Sequence, residues 1–235
     1  MIPLRDHNRA ERWAFVVWTL IAINLWAFWQ ELQLGEAVGA FVDRHGMVPA
    51  RVLSLARWEN QPWTQSVGPL VTHMFLHGGW MHLLGNLLFL FVFGDNIEGR
   101  LGHFTFLVFY LACGLGAATG QALADPTSTV PMIGASGAIA GVLGAYLVLF
   151  PGARITTLIP VFIFLLVRQI PAYFFLGIWI ALQVLQGWLD HRSAGSGSGG
   201  GVAWWAHVGG FVVGAAWMLL SPSARRPVKR RTQGA

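Results

Sequence analysis

Residues 130–150 read VPMIGASGAIAGVLGAYLVLF, twenty-one positions without a charge and with a single serine, Ser136. A helix rises 1.5 Å per residue, so a run of roughly 20 apolar residues crosses the ~30 Å hydrocarbon core of a bilayer. Working outward, five more apolar segments appear, at 13–29, 80–93, 104–124, 171–189 and 202–220. The 80–93 segment is short for a span and has to be extended, tilted or sheltered. The 13–29 segment is expected to be a retained span, because it is long, rich in Trp and lacks a small-residue cleavage pattern. A further run at 158–167 is interrupted by Pro160 and stops before Arg168, which suggests an interfacial stretch or the lead-in to the fifth span.

Composition agrees with a membrane protein. Of 235 residues, 55% are hydrophobic and 11% charged, where a soluble domain is about a quarter charged. A soluble enzyme, a disordered chain and a disulfide scaffold are thereby excluded. The one cysteine, Cys113, permits neither an intrachain disulfide nor a cysteine-based metal site. Twelve Trp and sixteen Phe suit helix ends at membrane interfaces. The formal charge of +5 fits a basic cytoplasmic face better than nucleic-acid binding. Arg5, Arg9 and Arg12 precede the first span, and Arg225, Arg226, Lys229, Arg230 and Arg231 follow the last. Six spans place both basic ends on one side, which the positive-inside rule makes cytoplasmic.

The expected organisation is a cytoplasmic N-terminus (1–12), a six-helix all-α membrane domain (13–220) and a basic cytoplasmic tail (221–235), the tail disordered. The long connection from residue 30 to 79 is expected to hold short amphipathic helices at the outer interface. The stretch 193–201, SAGSGSGGG, reads as a flexible loop between the fifth and sixth spans.

Polar groups inside spans are costly and by default mark function. All ten Asp and Glu fall outside the apolar segments as drawn. Such an arrangement excludes a diaspartyl protease and a His-Glu-x-x-His metalloprotease, and disfavours a carboxylate-relay transporter. Ser136, His207, His82 and Asn86 remain. His82 and Asn86 are four apart and share a helical face. Spans two, four and six all enter from the outer side, so these groups lie at similar depth. Gly137-xxx-Gly141 and Gly210-xxx-Gly214 let the fourth and sixth spans approach closely, and Gly116-xxx-Gly120 suggests another close contact. A serine becomes a competent nucleophile when a neutral imidazole takes its proton. Backbone N–H groups at the start of the fourth span, with His82 and Asn86, supply donors for an oxyanion. A packing role for each residue alone is the bland alternative. A metal site from His73, His77 and His82 is disfavoured, because their spacing fits one helix face poorly and Gly78-Gly79 interrupts it.

At these residues the chain resembles the rhomboid family of intramembrane serine proteases. The matching segments are His77-Gly78-Gly79-Trp80-Met81-His82-Leu83-Leu84-Gly85-Asn86, Gly134-Ala135-Ser136-Gly137-Ala138-Ile139-Ala140-Gly141, and Ala206-His207-Val208-Gly209-Gly210 with Gly214. Glu98, Arg100 and Gly102 resemble the family's Glu-x-Arg-x-Gly turn. The resemblance implies a six-transmembrane-helix rhomboid-like bundle of bacterial type, in the inner membrane, with a long interfacial loop between helices 1 and 2. It implies Ser136 as nucleophile, His207 as general base, and His82, Asn86 and the Ser136 N–H as oxyanion hole. Transmembrane proteins are the implied substrates, the bilayer the implied surroundings, and no cofactor, metal or nucleic acid is implied. Span five and the 193–201 loop resemble the family's lateral gate and cap. Some members carry a Tyr one turn after the nucleophile, stacked on the base; here that residue is Ala140, and the Trp204-Trp205 pair is a candidate substitute. The alternatives are a catalytically silent client-binding relative and a transporter.

Overall fold

The computed structural model describes residues 1–8, 12–54, 67–161, 164–193 and 202–221. Its elements are β1 (Ile2–Asp6), α1 (Phe15–Gln33), α2 (Val38–His45), α3 (Pro49–Val52), α4 (Pro69–Thr72), α5 (Trp80–Leu101), α6 (His103–Ala124), α7 (Ser136–Leu149), β2 (Arg154–Val161), β3 (Phe164–Pro171), α8 (Ala172–Ser193) and α9 (Trp204–Leu220). Each of the six apolar segments forms one long helix of the bundle: α1 and α5 to α9. Four of them, α1, α5, α6 and α8, are long and apolar enough to cross a membrane; α7 and α9, of 14 and 17 residues, are shorter.

The shortest of them, α7, is the inner one. Every residue of α7 from Gly137 to Tyr146 is buried. Glycines make that enclosure possible. A β-carbon on Gly210 would run into the Gly137 carbonyl, and one on Gly214 into the Gly141 carbonyl. On the other flank of α9, a β-carbon on Gly120 of α6 would stand 3.0 Å from the Gly209 α-carbon. The backbones of α6, α7 and α9 therefore meet with almost no side chain between them, the close approach that the small-xxx-small spacings suggest.

Several sequence-based boundaries move. The second span does not end at Phe93; α5 continues to Leu101, where Gly102 (φ +80°) turns the chain directly into α6. Hydropathy falls at the polar residues after Phe93, but packing buries Gly94, Asn96, Ile97 and Glu98. Carboxylates are consequently present in the long helices. Glu31 lies in α1, Asp95 and Glu98 in α5, and Asp190 in α8, correcting the expectation that all ten lie outside. Glu98 is 1% exposed and caps a different helix: its two oxygens accept the Val16 and Val17 N–H groups at 2.8 Å each. The first turn of α1 has no side-chain cap of its own, so this carboxylate satisfies two of its orphan donors. At the other end of α1, buried Glu31 accepts the His77 N–H at 3.1 Å.

The run at 158–167 is neither a helix nor a simple lead-in. β2 and β3 form an antiparallel hairpin, and β1 adds to β2, giving a three-stranded sheet in the order β1-β2-β3. Val, Ile, Thr and Leu dominate it, residues that suit a pleated surface. The sheet ties residues 2–6, read as part of a plain N-terminal extension, onto the bundle. Asp6, the last residue of β1, accepts hydrogen bonds from Tyr146 Oη and Asn96 Nδ2, each at 2.8 Å. The 30–79 connection does contain short helices, α2, α3 and α4, with residues 55–66 outside the described part. Almost all of the 193–201 loop and of the 221–235 tail also lies outside it.

Candidate active site

The segment leading to Ser136 is extended, not the first turns of the fourth span. Met132 pairs with Met47 in an isolated antiparallel bridge, and the Gly134 N–H donates to the His73 carbonyl at 2.8 Å. Irregular backbone at membrane depth persists only where protein satisfies its polar groups, and these contacts do so. The pinning fixes where α7 begins, and Ser136 is its first residue.

Three helix starts converge there. Ser136 opens α7, His82 is in the first turn of α5, and His207 in the first turn of α9. Ser136 Oγ and His207 Nε2 are 2.8 Å apart, a hydrogen bond between residues 71 positions distant in the chain. Ser136 is half-buried and His207 buried. The glycine-lined contact of α7 with α9 sets this distance.

His82 stands on the other side of the serine. Its Nδ1 accepts the Gly78 N–H at 3.3 Å, which leaves the hydrogen of a neutral ring on Nε2. That Nε2 borders Gly134, whose φ is +121°. A β-carbon there would sit 2.7 Å from His82 Nε2 and 3.6 Å from Ser136 Oγ. Glycine is required twice over, by backbone angle and by space. Asn86, one turn further along the same face of α5, is buried, and among the described residues its Nδ2 has no hydrogen-bond partner. The Ser136, Gly137 and Ala138 N–H groups precede the first i→i−4 bond of α7, made by Ile139 to Ala135. His82 Nε2 and the free backbone donors at the start of α7 therefore lie in one small region beside Ser136 Oγ.

Among the described residues, no group of three or more His, Cys, Asp or Glu, the three histidines before and within α5 included, has the geometry to hold a metal ion. His73 is fully buried and His77 nearly so, and desolvation pushes both down to about 4, helped at His77 by the neighbouring His82. Both are neutral framework residues, His73 through its carbonyl and His77 through its N–H.

Two residues of α8 belong to the site and were missed in the sequence. Gln183 Oε1 accepts a hydrogen bond from His207 Nδ1 at 2.7 Å. Trp179, one turn earlier, lies against the same imidazole with ring centroids 5.7 Å apart. Trp204 meets the ring edge-on at 6.3 Å and is held by its own Nε1–H donating to Asp190 at 2.6 Å. Trp205 instead packs on Gly187. Trp179 and Trp204 thus flank the ring that faces Ala140-bearing α7. The signal in the sequence is faint: Gln183 is a polar residue inside the 171–189 apolar segment, but an uncharged amide is neither ionisable nor nucleophilic.

A family model described as the Rhomboid domain matches residues 59–223. The chain is 32% identical over 138 residues to the Rhomboid-like protein 11, chloroplastic, of Arabidopsis thaliana, covering 58% of this chain and 43% of that protein. Over 78 residues, 33% of this chain, it is 40% identical to the Putative rhomboid protease YdcA of Bacillus subtilis and 44% to the Rhomboid protease GluP of the same organism, covering 39% and 15% of those proteins. The chain therefore spans less than half the length of the curated relatives it matches. With the domain match covering well over half of the chain, and with four helices able to cross a bilayer, this integral membrane protein belongs to the rhomboid family.

Proposed function

We propose that this chain is an intramembrane serine protease, cleaving peptide bonds in or near transmembrane segments of membrane proteins through Ser136 and His207. The observation that carries the reading is the 2.8 Å hydrogen bond between Ser136 Oγ and His207 Nε2. In the first half-reaction Oγ attacks the scissile carbonyl carbon while its proton passes to Nε2. The resulting oxyanion is stabilised by the Ser136 N–H, His82 Nε2–H and Asn86 Nδ2–H. Collapse breaks the C–N bond, and the leaving amine takes the proton from Nε2, leaving an ester on Oγ. Water then attacks the ester, giving its proton to Nε2, and the acid product departs as Oγ recovers the proton. Water reaches a lipid-embedded site only from an aqueous face, and the polar donors beside Ser136 give it partners. A substrate helix has to unwind locally, because its backbone is already internally bonded.

The reading carries the domain division 1–12, 13–220 and 221–235, cytoplasmic termini and a bacterial inner-membrane location. The named proteases among the relatives support the activity. The test is labelling of the purified full chain with a fluorophosphonate serine probe, together with cleavage of a model transmembrane substrate. Ser136→Ala removes both signals and Ser128→Ala keeps both. Cleavage undiminished in Ser136→Ala or His207→Ala overturns the assignment and leaves the silent client-binding reading or a contaminating protease.

A further inference from the structure

We infer that Gln183 is a positioning residue that selects the tautomer and orientation of His207, making the reactive unit a Ser136–His207–Gln183 relay; the inference rests on the protease reading above. A neutral imidazole carries one hydrogen, on Nδ1 or on Nε2. Only the Nδ1–H form leaves Nε2 with a lone pair to take the Ser136 proton. With the hydrogen on Nε2 the ring donates to Oγ and cannot serve as its base. The acceptor that decides between the two is Gln183 Oε1, 2.7 Å from Nδ1.

Amide oxygen and nitrogen are interchangeable unless their partners differ, and here they differ. Gln183 Nε2 donates to the Trp179 carbonyl at 3.2 Å, so the oxygen is the end that faces the imidazole. Gln183 and His207 are each 7% exposed, which keeps water from substituting for the acceptor. The placement is specific to this glutamine. Gln186, on the same helix, is exposed, as are Leu182, Val184 and Leu185 around Gln183. One polar residue of α8 turns inward, and it meets the histidine. Trp179, four residues earlier, flanks the same imidazole and also stacks on Phe211 of α9 at 6.4 Å. Orientation of the ring is thus set by a hydrogen bond and an aromatic face from one helix. A neutral carboxamide suits membrane depth, where a carboxylate in the same role carries a larger desolvation cost.

The test uses the detergent-purified full chain and a transmembrane model substrate. Gln183→Met keeps side-chain size and removes the acceptor; we expect kcat to fall ~10-fold, the worth of one buried hydrogen bond, with KM within about two-fold. Gln183→Glu retains an acceptor oxygen and restores most of kcat. In ¹⁵N spectra of the histidine-labelled parent, His207 shows the Nδ1-protonated form. An Nε2-protonated form in the parent, or a Gln183→Met enzyme with unchanged kcat, overturns the inference even while cleavage remains Ser136-dependent. Loss of Ser136 dependence in the parent overturns the protease reading instead, and the tautomer is still read from the spectrum. A Gln183→Met chain that fails to fold leaves the parent spectrum as the deciding measurement.

Discussion

At the scale of single residues, the site joins a hydrogen-bonded serine and histidine to donors that have no acceptor among the described residues. Asn86 Nδ2 is one of these, buried and without a hydrogen-bond partner. Such a group costs stability unless something arrives to accept its hydrogen, and the oxyanion of the proposed reaction is that acceptor. Asn86→Ala and His82→Ala should each lower kcat by about 10²–10³-fold, with the fluorophosphonate label slowed in parallel. Far from the site, Asp6 illustrates a different residue-level effect. Burial raises its carboxyl to about 6, against the hydrogen bond from Tyr146, which pulls the other way. Its folded-state value thus lies above the usual 3.8. The stability tied to its protonated form is complete below about pH 4 and is lost as pH rises through about 6. In thermal unfolding, Asp6→Asn should therefore gain on the parent as pH climbs across that window, and the difference should level off above it.

At the scale of elements, the contact of α7 with α9 sets the distance between nucleophile and base. A side chain on Gly210 or Gly214 runs into the Gly137 or Gly141 carbonyl and separates α9 from α7, whereas one on Gly137 or Gly141 runs first into Ala117 or Cys113 of α6. Gly210→Val should cost about 1–3 kcal/mol through overpacking and should lower cleavage at least ~10-fold by lengthening the Ser136–His207 separation. Thermal unfolding and initial-rate measurement on the same preparation check both halves. The capping of α1 by Glu98 is a second long-range device. Removing it in Glu98→Ala strands the Val16 and Val17 N–H groups, at about 1–3 kcal/mol per buried donor. A lowered unfolding temperature with unchanged KM is the expected result.

At the scale of the whole molecule, the site and the sheet occupy opposite ends of the bundle. α1 runs from Val16, beside Glu98 at the end of α5, to Glu31, beside His77 just before α5. Ser136 and His207 open α7 and α9, whereas β1 and the β2–β3 hairpin attach where α7 closes. The N-terminal strand is therefore remote from the site, and the proposed orientation puts the two on opposite faces of the membrane. Impermeant maleimides should label Arg5→Cys and Thr129→Cys from opposite faces of sealed vesicles, while native Cys113, fully buried, stays unlabelled. Labelling of both from one face would overturn the proposed orientation.

Local chemistry determined much of this in the sequence itself. Apolar runs of span length, glycines four apart, a lone serine at a helix start and histidines near two others are properties of short stretches, so the helical bundle was legible from it, and so were Ser136, His207, His82 and Asn86 as candidates. The chain's polar punctuation misled only where packing shelters what hydropathy rejects, as at Glu98 and Asn96. Tertiary structure alone decided the pairing of β1 with β2, whose residues lie about 150 positions apart, and the extended approach to Ser136, held by Met47 and His73. It also decided which oxygen meets His207 Nδ1. Gln183 and Gln186 look alike in sequence, and only the rotation of α8 against α9 turns one inward to the imidazole and the other outward.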